Sequence, residues 1–227
     1  MNRRYIILAN NTRYEKLIHA LSSEFPKREF LLVSNNDELR ERLSSGTYET
    51  IFSVHWGSII PEHLTSNQNV IGFHLTSLPF GRGGSPLQNL IIRGIRLTEV
   101  TCFQVTGELD GGPVFLKTPL VLNGSAEDIL CRARDIIFTQ IVFVLRNMII
   151  PAPQQGVIVN FQRLRDNSVL RGSYDSLEEL YDHVRMLDGD GYNRVYIDCG
   201  KVRISFSDAH NVDGAMTFKC RASMQND

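Results

Sequence analysis

The stretch Asn69–Pro86 reads NVIGFHLTSLPFGRGGSP, and its two halves decide the fold class. Asn69–His74 is an apolar run of strand length. Thr76–Pro86 carries three glycines and two prolines, a composition that predicts a loop. A short buried strand ending in a histidine and opening into a glycine-rich loop is the unit of an α/β sheet. The upstream sequence repeats that rhythm. Thr50–Val54 is a strand running into His55-Trp56-Gly57, Glu29–Val33 is another, and Tyr5–Ala9 is a first strand with Asn10-Asn11 as its polar exit. Between them, residues Arg13–Ser23 place Leu17, Ile18 and Leu21 at helical spacing. Asn36–Leu43 reads as a short helix capped by Asn35 or Asn36. Strands alternating with helices predict a mainly parallel sheet built by right-handed crossovers.

Downstream, Pro86 suits the first turn of a helix through Ile95. Leu97–Val105 and Pro113–Val121 alternate as strands, joined by a tight turn at Gly107–Gly112. Ser125 opens a long helix, with Asp128 in the capping-box position and Ile129, Ala133, Ile136, Ile137, Ile141 and Leu145 on one face. Pro151–Gly156 is the plausible linker, so the expected organisation is a domain over residues 1–150, a linker over 151–156 and a small domain over 157–227. In that tail Ser176–Leu187 reads as helix, and Val195–Ile197, Val202–Phe206 and Ala215–Lys219 read as short strands. A small α+β or barrel-like (OB-like) unit is expected there.

Composition narrows the partners. The 24 basic and 25 acidic side chains give a formal charge of -1, which predicts no broad electrostatic footprint for nucleic acid. Cys102, Cys131, Cys199 and Cys220 lie far apart with no zinc spacing, so no metal site is expected and reduced thiols are. The apolar run before Asn10 is too short for a secretory signal. Ile136–Ile150 is too interrupted to span a bilayer. The expected setting is cytoplasmic.

Ligands of open α/β sheets bind at the carboxyl ends of the strands. There the sequence places His55-Trp56-Gly57, His74, the loop with Arg82, and Asp110 in the later turn. A histidine and an aspartate meeting over a glycine-rich loop would pair, orienting the ring and raising its pKa. Each signal alone has a plain reading. A single strand-end histidine is more often structural, and an aspartate in a glycine-rich turn is usually turn chemistry. No GxGxxG or P-loop pattern is present.

Order and spacing lend these residues meaning together. The run His74–Gln88, with Pro79, Arg82-Gly83, Pro86 and Gln88 in register, resembles the signature loop of the formyltransferase family that includes methionyl-tRNA formyltransferase. Val100-Thr101 with Gln104, and then Gly107–Gly112, resemble that family's Gly-Val-Thr strand and Leu-Asp-x-Gly turn. Trp56–Pro61 is similar to its Tyr-Gly-x-Ile-Leu-Pro stretch. Pro153–Gly156 and Leu180–Ser207 resemble the entrance and body of its C-terminal domain, so the resemblance covers nearly the whole chain.

The resemblance implies a Rossmann-like N-terminal domain and N10-formyltetrahydrofolate as formyl donor. It makes His74 the catalytic histidine and Asp110 the aspartate that orients it or relays protons. It lines the folate pocket with Ile59, Ile60, Pro61, Ser77, Leu78, Pro79, Thr106 and Glu108. One departure stands out: the family carries an asparagine two residues before the histidine, and here that position is Gly72. Either His74 carries the oxyanion with a backbone amide or water, or another side chain replaces that amide, with Asn10, Asn89 and Gln104 as the candidates. Family members acting on tRNA are longer, so a small amine is the expected acceptor. The phrasing Pro79–Ile91 resembles formyltransferases of pseudaminic-type nonulosonic acid pathways, implying a UDP-linked 4-amino-4,6-dideoxy sugar, met by Asn10, Tyr14, His55, Arg82 and Gly83. A dTDP-amino sugar or glycinamide ribonucleotide is the alternative acceptor, and a folate-binding protein without turnover the alternative class. Neither nucleic acid nor membrane is an expected partner; the roles open to the C-terminal unit are packing on the first domain, shaping the acceptor pocket and forming a homodimer.

Overall fold

The computed structural model describes residues 3–9, 12–57, 60–61, 67–165 and 167–225. They divide into two compact units. The first holds residues up to Gly83, then Thr98–Leu120 and Cys131–Asn160; the second holds Gly84–Leu97, Val121–Leu130 and the stretch from Phe161 onward.

In the first unit a six-stranded sheet runs in the order β2-β1-β3-β4-β6-β7, with β1 Arg3–Leu8, β2 Arg28–Val33, β3 Thr50–Val54, β4 Val70–His74, β6 Leu97–Gln104 and β7 Val114–Val121. The pairs β1–β2, β1–β3 and β3–β4 are parallel, and β4–β6 is antiparallel. The expected mainly parallel α/β sheet is therefore present. Its parallel strands read as near-continuous apolar runs because both faces are covered: Tyr5 to Leu8 and Ile51, Phe52 and Val54 are all at most 1% exposed. Helix α1 (Glu15–Glu24) buries Leu17 and Leu21, and α2 (Asn36–Ser45) buries Leu39. The α2 cap is Asn35, whose side chain accepts the Glu38 N–H at 2.9 Å. On the α2 side, Ile6, Leu8, Val33, Leu39, Ile51 and Val70 form one apolar cluster.

The glycine-rich stretch is not wholly loop. Phe80–Gly83 forms a short strand, β5, paired with β8 (Val159–Phe161). The run 151–156 is also tied down: Ala152 exchanges both backbone hydrogen bonds with Val114, at 2.7 and 2.9 Å.

The second unit contains α3 (Pro86–Ile92), α5 (Leu177–Arg185) and an antiparallel sheet in the order β11-β10-β9, made of Tyr196–Cys199 (β9), Val202–Val212 (β10) and Ala215–Met224 (β11). Of the two forms expected for the tail, it takes the α+β one. The long helix α4 (Ala126–Arg146) starts at a reciprocal capping box: Asp128 N–H reaches Ser125 Oγ at 3.2 Å, and Ser125 N–H reaches Asp128 Oδ2 at 2.9 Å. Ser176 Oγ caps α5 by accepting the Glu179 N–H at 3.1 Å, while Glu179 Oε2 accepts the Asp175 N–H at 3.0 Å. Among the described residues, no helix is long and apolar enough to cross a membrane.

Candidate active site

His74 closes β4 with 8% exposure. Its Nε2 stands 2.8 Å from the Gly81 carbonyl oxygen. A carbonyl only accepts, so Nε2 carries the hydrogen and the neutral ring keeps its lone pair on Nδ1. Nδ1 faces Asp110 Oδ2 at 3.7 Å, too long for a direct hydrogen bond but well placed for a charge. The same carboxylate oxygen accepts the Gly83 N–H at 2.9 Å. The loop therefore returns over the histidine and holds both members of the pair from its own backbone.

Asp110 lies in the left-handed region at φ 48, which aspartate tolerates better than most residues. The turn around it is packed backbone to backbone. A Cβ on Gly112 would fall 1.8 Å from the Gln104 carbonyl oxygen, and one on Gly111 would strike the Glu108 side chain. Arg82, 6% exposed, clamps this turn from the loop side. Its Nη1 pairs with Glu108, while Nε and Nη2 reach Gln154 Oε1 at 3.1 and 2.8 Å. Gln154 in turn donates to the carbonyls of Asp110 and Gly112 at 2.7 and 2.8 Å.

Ser77, Leu78 and Pro79 are anchored on β6 and β7. Leu78 N–H bonds Thr101 Oγ1 at 3.3 Å, Thr101 Oγ1 donates to the Thr76 carbonyl at 2.6 Å, and Lys117 Nζ donates to the Leu78 carbonyl at 2.6 Å. Ser77 bridges Glu99 and Lys117. The Leu78–Pro79 peptide bond is cis. Tyr14 OH and His55 Nδ1 lie 3.2 Å apart, joining the first and third strand exits. Thr106 and Glu108 are exposed, and Ile60 and Pro61 half-buried. Asn10 and Ile59 lie outside the described residues. Of the amides considered in place of the missing asparagine, Asn89 Nδ2 donates to the carbonyls of Gly84, Ser85 and Gln162, and Gln104 Nε2 to Val70 at 2.9 Å. Both are committed to backbone.

Several supporting residues were not singled out from the sequence. Gln154 sat in a run read as linker. Glu99 and Lys117 left a weak signal: each is the single charged residue of its strand.

The residues at the strand ends suit a flat heteroaromatic with a hydrogen-bonding edge. Trp56 packs with Ile60 and Val105 against the apolar cluster, and its buried indole Nε1 has no hydrogen-bond partner among the described residues.

Comparison with known proteins finds formyltransferases. The family described as the methionyl-tRNA formyltransferase C-terminal domain matches residues 165–221. Methionyl-tRNA formyltransferase from Thermodesulfovibrio yellowstonii is 25% identical over 158 residues, covering 66% of this chain and 51% of that protein. The chain thus spans about half the length of that curated relative, and 31% and 39% of two others. The solved structure of methionyl-tRNA formyltransferase from Clostridium thermocellum is 38% identical with a TM-score of 0.92, covering 98% of this chain and 100% of that one. A sugar N-formyltransferase from a Shewanella species shares the fold at 15% identity and a TM-score of 0.66, over 100% of this chain and 99% of that one.

Proposed function

The chain belongs to the formyltransferase family that includes methionyl-tRNA formyltransferase, and from that premise we propose that it moves a formyl group from N10-formyltetrahydrofolate onto a primary amine, with His74 and Asp110 as its acid–base pair. The observation that carries this reading is the histidine ring held between the Gly81 carbonyl and the Asp110 carboxylate. The formyl donor supplies an activated carbonyl carbon and a nitrogen leaving group. The protein must manage protons. An attacking amine has to lose one, and the departing folate nitrogen has to gain one. The Gly81 contact leaves Nδ1 as the base, on the side where Asp110 waits. When Nδ1 takes the amine proton, the imidazolium stands 3.7 Å from the carboxylate, which stabilises it until the proton is handed on. Arg82 and Gln154 act one step back, holding the Asp110 turn in place.

For the acceptor we propose the 4-amino group of a nucleotide-linked amino-dideoxy sugar. The near-neutral charge supports a small acceptor over a large polyanion, and sugar N-formyltransferases share this fold. Length does not separate the two, because the C. thermocellum methionyl-tRNA formyltransferase chain is matched over its whole extent. The deciding assay follows formyl transfer from N10-formyltetrahydrofolate to UDP- and dTDP-4-amino sugars, glycinamide ribonucleotide and methionyl-tRNA, by mass gain and folate absorbance. Transfer to a nucleotide sugar, reduced at least about 100-fold in His74→Ala and Asp110→Ala, is the expected result. Folate binding without transfer to any amine would replace this reading with that of a binding protein.

A further inference from the structure

The segment from His74 to Gly81 is closed on itself by the bond between His74 Nε2 and the Gly81 carbonyl, at 2.8 Å. The carbonyls from Thr76 to Pro79 are also taken up from within. Thr76 O accepts from Thr101 Oγ1 (2.6 Å), Ser77 O from the Phe80 N–H (3.1 Å), Leu78 O from Lys117 Nζ (2.6 Å) and Pro79 O from the Val159 N–H (3.2 Å). Among these donors Lys117 alone is an ammonium, and a charged donor makes a hydrogen bond roughly twice as strong as a neutral one. Leu78 is fully buried, so its carbonyl depends on that donor.

Lys117 is itself held in place. Ser77 Oγ accepts from Nζ at 3.0 Å and passes its own hydrogen to Glu99 Oε2 at 2.5 Å, while the two charges lie 3.9 Å apart. The row from Lys117 through Ser77 to Glu99 therefore has a fixed direction, from cation to carboxylate through one hydroxyl. Glu99 and Thr101 lie two apart on β6 and so share the face that grips the loop. Gln140 ties the strands together behind them. Its Nε2 donates to the Val100 carbonyl and to Thr118 Oγ1, the residues next to Glu99 and Lys117, at 2.8 and 3.0 Å. Thr101 is in register with His74, so this frame stands beside the histidine.

We propose that Lys117 is a positioning residue for the formyl donor: it keeps the Leu78 carbonyl turned into the sheet, so that the wall Ser77–Pro79 is already shaped when the folate ring arrives. This rests on the formyl-transfer reading. A buried carbonyl deprived of its donor has to find another, and water is the nearest source. Without the ammonium the Leu78 carbonyl turns outward, and the wall has to be reordered each time the donor binds. That cost falls on donor binding. It spares the proton transfers, because His74, Gly81, Gly83 and Asp110 keep their own contacts.

The test uses the full chain, with steady-state kinetics on the acceptor identified by the transfer assay and calorimetric titration with tetrahydrofolate. It compares wild type with Lys117→Met, Lys117→Arg and Ser77→Ala. Lys117→Met is expected to raise KM for the formyl donor about tenfold and to weaken tetrahydrofolate binding by the same factor, with kcat and acceptor KM within about twofold of wild type. Lys117→Arg keeps a cationic donor and should recover most of that loss. Ser77→Ala removes one hydroxyl but leaves the Leu78 bond, so its donor KM should rise less, by about threefold; this variant decides the matter if Lys117→Met does not fold. Donor KM and tetrahydrofolate affinity that stay at wild-type values, an equal rise in KM for donor and acceptor, or a fall in kcat with KM unchanged overturns the role of Lys117 and leaves formyl transfer standing. Wild type that binds no tetrahydrofolate and transfers formyl to no amine overturns both.

Discussion

At position 72 a side chain would meet an aromatic ring within 2.8 Å, closer than carbon atoms pack without displacement. Gly72→Ala is therefore an overpacking change in a buried sheet. Its expected cost is about 1–3 kcal/mol in unfolding free energy. Shortening the partner relieves it, so Gly72→Ala with Phe103→Leu should be more stable than the sum of the two single changes. A double-mutant cycle by urea titration reads this directly, and strict additivity would show that the ring yields without strain. The same two residues explain what was and was not legible here. His74, Asp110, Arg82 and the glycine run stand out in the sequence because unusual residue types recur at fixed spacing. That Gly72 is the counterpart of a ring on the next strand needs the register of β4 against β6, which no local pattern carries. Arg82 makes the same point: its type marked it for a ligand, whereas its hydrogen bonds go to Glu108 and Gln154, the second of which is 72 residues away.

Helix α5 carries a buried titratable pair of contacts that should make the second unit sensitive to acid. His183 accepts from Tyr174 OH at Nδ1 (2.6 Å) and donates from Nε2 to the Asn167 carbonyl (2.7 Å), so the neutral ring is satisfied on both sides. Burial holds its pKa below the ordinary 6.5; Arg171 pushes the same way, while the Asn167 carbonyl and Glu179 oppose it. With the folded value depressed, the unfolded chain binds the proton more readily, so the stabilisation is complete above pH 6.5. It is lost as pH falls from there through the folded value. Urea midpoints should decline over that window, and His183→Gln should flatten this part of the decline. An equal slope in the variant would assign the acid sensitivity to other groups. Most elements of this size were readable, since caps and periodicity are local: Asn35, Ser125 and Ser176 each mark a helix start where the structure has one. Strand β5 was not, because glycine and proline in Thr76–Pro86 argue for loop, and its partner β8 arrives from about 80 residues later.

Over the whole chain, positive and negative charges nearly cancel, at 24 against 25. Much of the described ionic surface is also internally paired, as in Arg96 with Glu178 and Asp182, Arg171 with Glu179, and Arg203 with Asp198. A tRNA acceptor would have to be gripped through many phosphates, and each contact releases counterions. A protein making six to ten such contacts loses roughly three to five orders of magnitude in affinity between about 50 and about 200 mM salt. A nucleotide-linked sugar presents two phosphates, so its dependence should be shallow. The expected result is kcat/KM for the nucleotide sugar changing by less than about tenfold across that range, with KM for the formyl donor steady. If methionyl-tRNA proves to be the acceptor and its kcat/KM falls by roughly a thousandfold or more over the same range, the proposed sugar is wrong. The His74–Asp110 chemistry would then serve a polyanion, despite a composition that offers it no excess of positive charge.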